Sequence, residues 1–204
     1  MTRGRFIVFE GGEGTGKSTQ AVRLAERLDA LLTREPGGTS LGTDIRSLVL
    51  SASTDGAVSD RAEALLMAAD RAQHVDELIE PSLAAGRDVV CDRFIGSSVA
   101  YQGYGRGLDI DIVRAVSGWA AGGLWPDLVI VLTVPSEESE RRTGGARDRI
   151  EAAGDEFHQR VAKGFLEQAE DEPDTWVVVD GTGSPDEVEE RVLDAVADVL
   201  GFEP

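Results

Sequence analysis

The stretch from Phe6 to Thr19 constrains this chain more than any other part of its sequence. Phe6-Ile-Val-Phe9 is a short apolar run with β-branched residues, which is typical of a strand buried on both faces. Glycines follow in the spacing Gly11-x-x-x-x-Gly16-Lys17-Ser18, and residues 20–28 have the apolar period of an amphipathic helix. Strand, glycine loop and helix in this order are the context of a phosphate-binding loop. The chain is therefore predicted to bind a nucleotide.

Each residue type in this loop suits phosphate chemistry. Glycines let backbone N–H groups converge on phosphate oxygens, and the helix N-terminus adds the positive end of its dipole. Lys17 would place its charge on the β- and γ-phosphates, and the Ser18 hydroxyl can ligate Mg²⁺. An accidental match in a glycine linker is the alternative, against which the flanking strand and helix argue. The loop residues predicted to bind ATP are Gly11, Gly12, Glu13, Gly14, Thr15, Gly16, Lys17, Ser18 and Thr19.

The rest of the chain alternates apolar strand patterns with helical ones. The 204 residues suit one α/β domain, with five Val- and Leu-rich strands in a parallel sheet covered by helices on both faces. Ligands of such sheets bind beyond the carboxyl ends of the strands. The glycine loop, residues 33–39, the pair Asp92-Arg93 and residues 143–149 all lie at that edge or within reach of it. We expect the functional site there.

Several predicted helices carry start or stop signals. Ser59 or Asp60 would cap a long helix that runs to Ile79 and stops at Pro81. A further helix is predicted to begin near Asp109. Residues 42–50 and 136–142 are predicted to form short helices, and residues 155–170 are also predicted to be helical. Ser184-Pro-Asp-Glu187 predicts a capping box at the start of the last helix. On the long helix we expect Leu65, Ala69 and Ala72 to share a face that packs on the sheet, and Met67 and Arg71 to face a cleft.

The charge of the chain excludes some partners. Asp and Glu number 38 against 20 Lys and Arg, a net charge of −18, so the surface would repel nucleic acid. The two lysines are Lys17 and Lys163. This balance favours a protein adapted to molar salt, where acidic self-repulsion is screened; codon bias toward arginine is the alternative.

Location follows from what the sequence lacks. No run of 18 apolar residues occurs, the first strand begins too early for a signal peptide, and the single Cys91 in an apolar run is expected to be a buried bystander. We therefore expect a cytoplasmic protein without a membrane partner. His74 and His158 have no metal-ligand spacing and are read as helix-surface residues.

Two further groups of residues suit phosphoryl transfer. Asp92 ends an apolar strand and suits a role in holding Mg²⁺ through its waters, although a strand-end acid can also cap a helix. Arg93 could clamp a second phosphate, or form only a surface ion pair. A second cluster of arginines lies near two glycines that allow a loop to hinge, which fits a mobile lid near 143–154 or a solvated loop. This cluster comprises Arg141, Arg142, Arg147 and Arg149, with Gly144 and Gly145.

Six motifs in order resemble those of the thymidylate kinase family and cover most of the chain. They are the glycine-loop stretch from Phe6, Thr33-Arg-Glu-Pro-Gly-Gly-Thr39, Ala68-Ala-Asp-Arg71-Ala-Gln-His, Asp92-Arg93-Phe94, Ala100-Tyr-Gln-Gly103 and Asp148-Arg-Ile-Glu151. The resemblance implies a P-loop kinase three-layer sandwich and the reaction ATP + dTMP → ADP + dTDP with Mg²⁺. It also implies a homodimer.

Residue by residue, the resemblance implies a dTMP site. Glu13 would accept a hydrogen bond from the 3′-hydroxyl, Arg93 and Arg34 would bind the phosphate, and Arg71 would donate to thymine O4. The plainer alternatives are a loop-stabilising acid for Glu13 and a surface charge for Arg34. For Arg71 the alternative is an ion pair within its own helix, which is disfavoured because no acid lies three or four positions away. The implied dTMP-binding residues are Glu13, Arg34, Met67, Arg71, Arg93, Ser98 and Tyr101, with Ser98 near thymine N3 and Tyr101 either crowding the 2′ position or simply packed.

Two positions distinguish this chain within the resemblance. Gly14 stands where one branch of the family has an arginine, which resembles the bacterial type that takes its catalytic arginine from the lid. The catalytic residues implied are Lys17, Asp92 and Arg149, with Arg147 as second choice for the lid arginine and Arg142 on the ATP. Met67 stands where the family commonly has a Phe that stacks on thymine, so weaker stacking is expected.

Alternative functions are a kinase for dUMP or a broader pyrimidine set, and a nucleotide-dependent switch or ATPase without a kinase activity. A panel of monophosphate acceptors separates the first from a dTMP kinase. Hydrolysis of ATP without transfer to any monophosphate would identify the second.

Overall fold

A computed structural model describes residues 2–51, 58–143 and 149–202. Its centre is a five-stranded parallel sheet in the order β2-β3-β1-β4-β5. The strands are β1 (Phe6–Glu10), β2 (Leu31–Arg34), β3 (Val89–Asp92), β4 (Leu128–Thr133) and β5 (Trp176–Asp180). All five were predicted, and the parallel α/β class is confirmed.

Helices cover both faces of the sheet and make three layers. Helices α1 (Lys17–Leu28) and α9 (Pro185–Leu200) pack one face, against the side chains of Ile7, Phe9 and Ile130. The other face, which includes Phe6 and Val8, is covered by a larger group of helices. These are α2 (Ser40–Leu50), α3 (Asp60–His74), α4 (Glu80–Ala84), α5 (Ile95–Ser98), α6 (Ile110–Ala120) and α8 (Asp155–Asp171); α7 (Ser136–Arg142) and a 3₁₀ turn (Glu151–Ala153) complete the set. The central strand β1 is fully buried because both layers meet it.

The predicted caps explain where several helices begin. Ser59 accepts from the Ala62 N–H at the start of α3, and Asp109 accepts from the Ile112 N–H at the start of α6. The capping box at Ser184 is present in both directions, with Pro at the first position of α9. Cys91 is fully buried, as predicted. Among the described residues, no helix combines the length and apolar character needed to cross a bilayer.

The prediction that Pro81 ends the long helix is wrong. Helix α3 continues through a π-helical segment (Val75–Ile79) into α4, and Pro81 lies in the first turn of α4. The wider π-helical turn changes the hydrogen-bond register just before the proline, so the N–H that proline lacks falls where a new helical segment starts. The backbone then runs on to Ala84 before it turns into β3.

The face of α3 expected to pack on the sheet is also misassigned. Leu65 is 61% exposed and Ala69 is exposed, whereas Val75 and Ile79 in the π-helical segment enter the core. The three expected residues all lie within α3, whose buried residues are Glu63, Ala68, Asp70, Arg71 and His74. The inward side of α3 is therefore mostly polar, so the apolar pattern indicated the wrong side.

The Gly/Ser-rich segment from 95 to 108 is helical over most of its length. Helix α5 continues as a π-helical segment (Val99–Gly105), and its small residues lie where large side chains pack against it. A Cβ on Gly105 would lie 2.5 Å from the Phe157 ring, and one on Gly96 would lie 2.6 Å from the Trp176 ring. Glycine here therefore serves close packing against α8 and β5.

Candidate active site

The glycine loop joins the carboxyl end of β1 to the first turn of α1. Gly16 precedes α1 in a left-handed conformation with no side chain capping the helix, so the N–H groups of its first turn stay open toward the loop. Gly11 has a φ of +131°, and a Cβ there would lie 2.3 Å from the Leu132 carbonyl oxygen. Glycine is therefore required at position 11 by both conformation and space. The result is a concave set of backbone donors suited to phosphate.

Lys17 is held over this loop rather than in solvent. Its Nζ donates to the Gly12 carbonyl at 2.5 Å, and the Thr15 hydroxyl donates to the same oxygen at 3.1 Å. Burial and, secondarily, the charge of Arg93 lower the pKa of Lys17 to about 8. Glu13, Gly14 and Gly12 are half-buried in the loop, while Ser18 and Thr19 are exposed on the first turn of α1.

Ser18 and Asp92, predicted as metal-binding residues, lie in contact. Asp92 ends β3, next to β1 in the sheet, and its Oδ2 accepts from the Ser18 hydroxyl at 2.5 Å. Its buried Oδ1 has no hydrogen-bond partner among the described residues. No cluster of three or more His, Cys, Asp or Glu side chains that could hold a metal occurs in the described part of the chain. One hydroxyl and one carboxylate fit Mg²⁺ that takes its other ligands from water and phosphate oxygens.

A second group joins Glu13, Arg93 and Tyr101. Arg93 Nη2 forms an ion pair with Glu13 Oε1, and the Tyr101 hydroxyl donates to the same oxygen at 3.0 Å. The Arg93 guanidinium also lies 5.0 Å from the centre of the Tyr101 ring. The charge of Arg93 lowers the pKa of Glu13 to about 2, so Glu13 is ionised at neutral pH. The ion pair considered for Arg93 exists, but it lies inside a cleft, with 16% of the Arg93 side chain exposed.

Arg71 is a buried arginine with unused donors. Its Nη2 donates to the Phe94 carbonyl at 2.9 Å and to the Ser98 hydroxyl at 3.1 Å. The same nitrogen lies 2.8 Å from Glu35 Oε2. Among the described residues, Nε and Nη1 of Arg71 have no hydrogen-bond partner, although the side chain is only 2% exposed. Two buried donors without acceptors suit a polar ligand atom that enters the cleft.

The reading of His74 as a surface residue is wrong. His74 is fully buried, with Nδ1 3.0 Å from Glu35 Oε1 and Nε2 2.6 Å from the Thr33 hydroxyl. The loop after β2 packs over this side of α3. Gly38 in that loop leaves space for the imidazole ring, since a Cβ there would lie 2.4 Å from His74 Nε2. Glu35 therefore links His74 to Arg71. His158 is half-buried, with its ring against Phe157.

All seven predicted dTMP-binding residues line one cleft at the carboxyl edge of the sheet. The cleft has a volume of about 200 Å³ and also contains Lys17, Ser18 and Asp92. Arg34, exposed at the end of β2, and the half-buried Met67 lie on its wall. Of the other lining residues, five lie within the six motifs, although the sequence assigned them no role: Glu35, Pro36, Phe94, Gln102 and Ile150. Arg46, Leu50 and Ser97 lie outside the motifs, and only the packing between elements brings them to the cleft.

The lid arginines occupy different places. Arg142 donates to the carbonyls of Gly181 at 3.1 Å and Gly14 at 3.4 Å, which places it beside the glycine loop. Arg147, Gly144 and Gly145 lie outside the described residues, which include only 143 and 149–154 of the predicted lid. Arg149 donates from Nε to the Val49 carbonyl at 2.9 Å and pairs through Nη2 with Glu63. The structure thus places Arg149 against α2 and α3, outside the residues that line the cleft.

Glu63 is a buried acid that sequence reasoning did not single out. It is fully buried and accepts from Gln102 at 2.9 Å and from Arg106 at 3.0 Å, besides Arg149. Burial raises its pKa, but the hydrogen bonds from Arg106, Gln102 and Arg149 outweigh burial and lower it. Ile150, next to Arg149, is buried in the cleft wall. The Glu63 cluster therefore ties the end of the lid segment to the cleft.

Comparisons with known proteins agree with this geometry. A family model described as thymidylate kinase matches residues 9–192. The thymidylate kinase of Cutibacterium acnes is 47% identical over 202 residues, which is 97% of this chain and 98% of that protein. The thymidylate kinase of a Synechococcus species is 50% identical over 196 residues, 94% of this chain and 93% of that protein. Among solved structures, the crystal structure of thymidylate kinase from Ehrlichia chaffeensis matches with a TM-score of 0.79 at 31% identity, covering 95% of this chain and 99% of that chain.

Proposed function

The chain belongs to the thymidylate kinase family, and from that premise we propose that it transfers the γ-phosphoryl group of ATP to dTMP, giving ADP and dTDP for dTTP synthesis. The observation that carries the proposal is the single cleft that contains both a phosphate-binding loop with its lysine and a buried arginine with unused donors. Phosphoryl transfer needs two phosphorylated partners held in line, and this cleft offers cationic groups for both.

On the donor side, the glycine loop and Lys17 hold the ATP phosphates. Backbone N–H groups of the loop and of the first turn of α1 bind the β-phosphate, and Lys17 leaves the Gly12 carbonyl for the β- and γ-phosphates. Arg142, beside Gly14, contacts the ATP from the far side of the loop. Ser18 and Asp92 would hold Mg²⁺, which neutralises charge on the phosphate oxygens when bound.

On the acceptor side, Arg93 binds the dTMP phosphate with help from Arg34. The phosphate competes with Glu13 for Arg93 Nη2, and the released Glu13 carboxylate accepts the 3′-hydroxyl. Tyr101, which donates to Glu13 and packs against the Arg93 guanidinium, crowds the 2′ position of a ribose in this proposal.

The thymine base is read deeper in the cleft. Thymine O4 accepts from the unused donors of Arg71, and the Ser98 hydroxyl lies near N3. A cytosine presents an amino group in place of O4, so two donors would face each other and Arg71 would stay unpaired. Met67 packs against the ring through its thioether.

The lid is proposed to supply the charge that stabilises the transition state. The chain is one kinase domain over residues 1–204, with its lid near 143–154. In this proposal Arg149, or Arg147 in its place, moves onto the transferred phosphoryl group when ATP and dTMP are bound. Arg149 must then exchange its contacts with Glu63 and Val49 for phosphate oxygens.

We also propose that the protein works in the cytoplasm as a homodimer. Large apolar side chains are exposed on α2, α3 and α6, and α3 packs against both of the other helices. They are Leu48 on α2, Leu65 on α3, and Ile112 and Trp119 on α6. We call this set the α3 face, because α3 is the helix that contacts both of the others. Exposed apolar patches of this kind mark association surfaces.

A coupled kinase assay tests the proposed function. ADP production is measured with ATP and each of dTMP, dUMP, dCMP and UMP, in low and in molar KCl, with Lys17→Met as the inactive control. A kcat/KM for dTMP at least about a hundredfold above that for dCMP is expected from the Arg71 contact. Values of kcat/KM for dUMP and dCMP equal to that for dTMP would identify a broader pyrimidine kinase. ATP hydrolysis with no diphosphate formed under any salt condition would overturn the kinase assignment.

A further inference from the structure

Glu10, the last residue of β1, is a buried carboxyl that none of the roles above uses. It is fully buried, and its Oε1 accepts from the backbone N–H groups of Phe94 at 3.0 Å and Ser97 at 2.8 Å. Its Oε2 accepts from the Ser97 hydroxyl at 2.6 Å. Glu10 therefore binds the start of α5 at three points, next to the segment that carries Arg93.

Ser97 continues this chain of contacts to Arg93. Arg93 Nη1 donates to the Ser97 hydroxyl oxygen at 3.1 Å and to the Gly11 carbonyl at 3.0 Å. A serine hydroxyl has one proton and two lone pairs. Because that proton is given to Glu10, the lone pairs of Ser97 are left to face Arg93.

The backbone at Arg93 also needs support. Arg93 has a φ of +73°, a left-handed conformation that is unfavourable for a side chain of this size. The Phe94 N–H that follows it is held by Glu10, and the Arg93 N–H donates to the Phe9 carbonyl at 2.9 Å. The strained turn is thus fixed from both sides by residues at the end of β1.

We propose that Glu10 is a positioning residue that sets the Arg93 guanidinium for the dTMP phosphate through the Ser97 hydroxyl. The inference rests on the proposed role of Arg93 in binding that phosphate. Among the contacts of the Arg93 guanidinium with Glu13, Ser97 and Gly11, the one with Glu13 is exchanged when the phosphate binds. Ser97 and Gly11 then hold Nη1 while Nη2 turns to the phosphate.

Packing alone gives little reason for an acid at this position. Burial raises the pKa of Glu10 to about 7, despite the hydrogen bond from Ser97 and the charge of Arg93, so ionising a carboxyl at this position is costly. Gly96 makes room for it, since a Cβ there would lie 2.9 Å from Glu10 Oε1. A carboxyl kept in a buried site beside a phosphate-binding arginine points to a positioning role.

The test compares binding of dTMP with binding of thymidine, which has the same base and sugar but no phosphate. The variants are Glu10→Gln, whose amide group donates to Ser97 instead of accepting from it, and Ser97→Ala, which breaks the link. Asp127→Asn is the matched control, because Asp127 accepts the Phe6 N–H at 2.6 Å at the opposite end of β1. Dissociation constants are measured by calorimetry, and the melting temperature of each variant is recorded.

A positioning role predicts a loss confined to the phosphate. Glu10→Gln and Ser97→Ala should each weaken dTMP binding by about tenfold or more and change thymidine binding by less than about twofold. The double variant should bind dTMP no more weakly than the single variant with the higher dissociation constant, because both changes break the same chain of contacts from Glu10 through Ser97 to Arg93. The Asp127→Asn protein should bind both ligands like the wild type.

Three results would overturn the inference. They are unchanged dTMP binding in both single variants, an equal loss for dTMP and thymidine, and additive losses in the double variant. If Glu10→Gln does not fold, Ser97→Ala alone decides by the same ratio. A wild-type protein that binds thymidine and dTMP equally would instead overturn the proposed role of Arg93.

Discussion

Arg71 shows how one buried side chain can be both stabilised and available. Glu35 neutralises its charge, while Phe94 and Ser98 accept from a single nitrogen, and the other two nitrogens have no partner among the described residues. A buried arginine without Glu35 would be strongly destabilising, and one with every donor satisfied would have nothing left for a base. The network through His74 keeps Glu35 in place.

Met67 lies on the cleft wall and is proposed to pack against the base, and its effect can be measured. Met67→Phe should lower the KM for dTMP by about two- to fivefold, because an aromatic ring stacks on thymine with about 0.5–1.5 kcal/mol beyond its area. Met67→Leu is the control with similar volume and no ring. Steady-state kinetics with saturating ATP gives both values. Equal KM values for the Phe and Leu variants would show that no stacking occurs here.

Asp70 provides a pH-dependent test of the loop after β2. It accepts from the Gly37 N–H at 3.0 Å, and burial, followed by repulsion from Glu35, raises its pKa from 3.8 to about 6. Because the folded-state pKa is raised, ionisation of Asp70 destabilises the fold as pH rises from about 4 through 6. Asp70→Asn should therefore stabilise the protein by about 2 kcal/mol at pH 7.5 and by much less near pH 4.

Thermal melts of both proteins across this pH range measure the difference. Asp76→Asn, an exposed acid in the π-helical segment after α3, is the control and should show no such dependence. A stability difference for Asp70→Asn that does not grow between pH 4 and pH 7 would contradict the expected ionisation.

At the scale of elements, the site depends on how strand ends and helix starts meet. The carboxyl ends of β1, β2 and β3 lie side by side, with Phe9 opposite Asp92 and Asp92 opposite Arg34 in the register. The helical run from α5 through its π-helical segment then brings Ser97, Ser98 and Tyr101 to the same cleft. A π-helical segment changes which residues share a face, a change often found at functional sites.

The lid segment carries a prediction about catalysis. Arg149→Ala should lower kcat by at least about tenfold with a smaller change in the KM for dTMP, because the lost charge acts mainly in the transition state. Initial rates with both substrates varied provide the two parameters. An unchanged kcat would assign the role to Arg147, tested by Arg147→Ala.

The contact with Glu63 gives this prediction its control. Glu63→Gln weakens the ion pair that holds Arg149 against α3, but it leaves the Arg149 side chain itself unchanged. If Arg149 acts on the phosphates, Glu63→Gln should keep most of its kcat. If Arg149 only anchors the lid at the cleft wall, the two variants should lose kcat together and raise the KM for dTMP alike.

At the scale of the whole molecule, the acidic surface predicts that the stability of the fold depends on salt concentration. With a net charge of −18, self-repulsion opposes the compact state and is screened when the Debye length falls to about 3 Å in molar salt. We expect the melting temperature in molar KCl to exceed that in dilute buffer by at least about 5 °C. Sorbitol at equal osmolality is the control for effects other than screening. No gain in KCl leaves codon bias as the account of the arginine excess.

The α3 face carries the prediction for assembly. Trp119 is 84% exposed on α6, and Trp119→Arg places a charge within the proposed contact. Sedimentation velocity should show the wild type at twice the chain mass and this variant as a monomer. Leu166→Arg, on the exposed side of α8, is the control and should stay dimeric. A monomeric wild type at high concentration would contradict the proposal.

The sequence by itself determined the glycine loop, the five strands and most helix starts. Local signals suffice for these, because caps, periodicity and turn chemistry act over a few neighbouring residues. The resemblance of six motifs supplied the proposed roles of Arg71 and Glu13, which no spacing rule would have assigned.

Only the tertiary structure decided which charges meet. Glu35 with Arg71 and His74, Glu63 with Arg149, and Glu10 with Ser97 join residues 36 to 87 positions apart, and each contact depends on the packing of whole elements. A buried charge is tolerated only where another element brings its partner, and no local pattern in the sequence records that meeting.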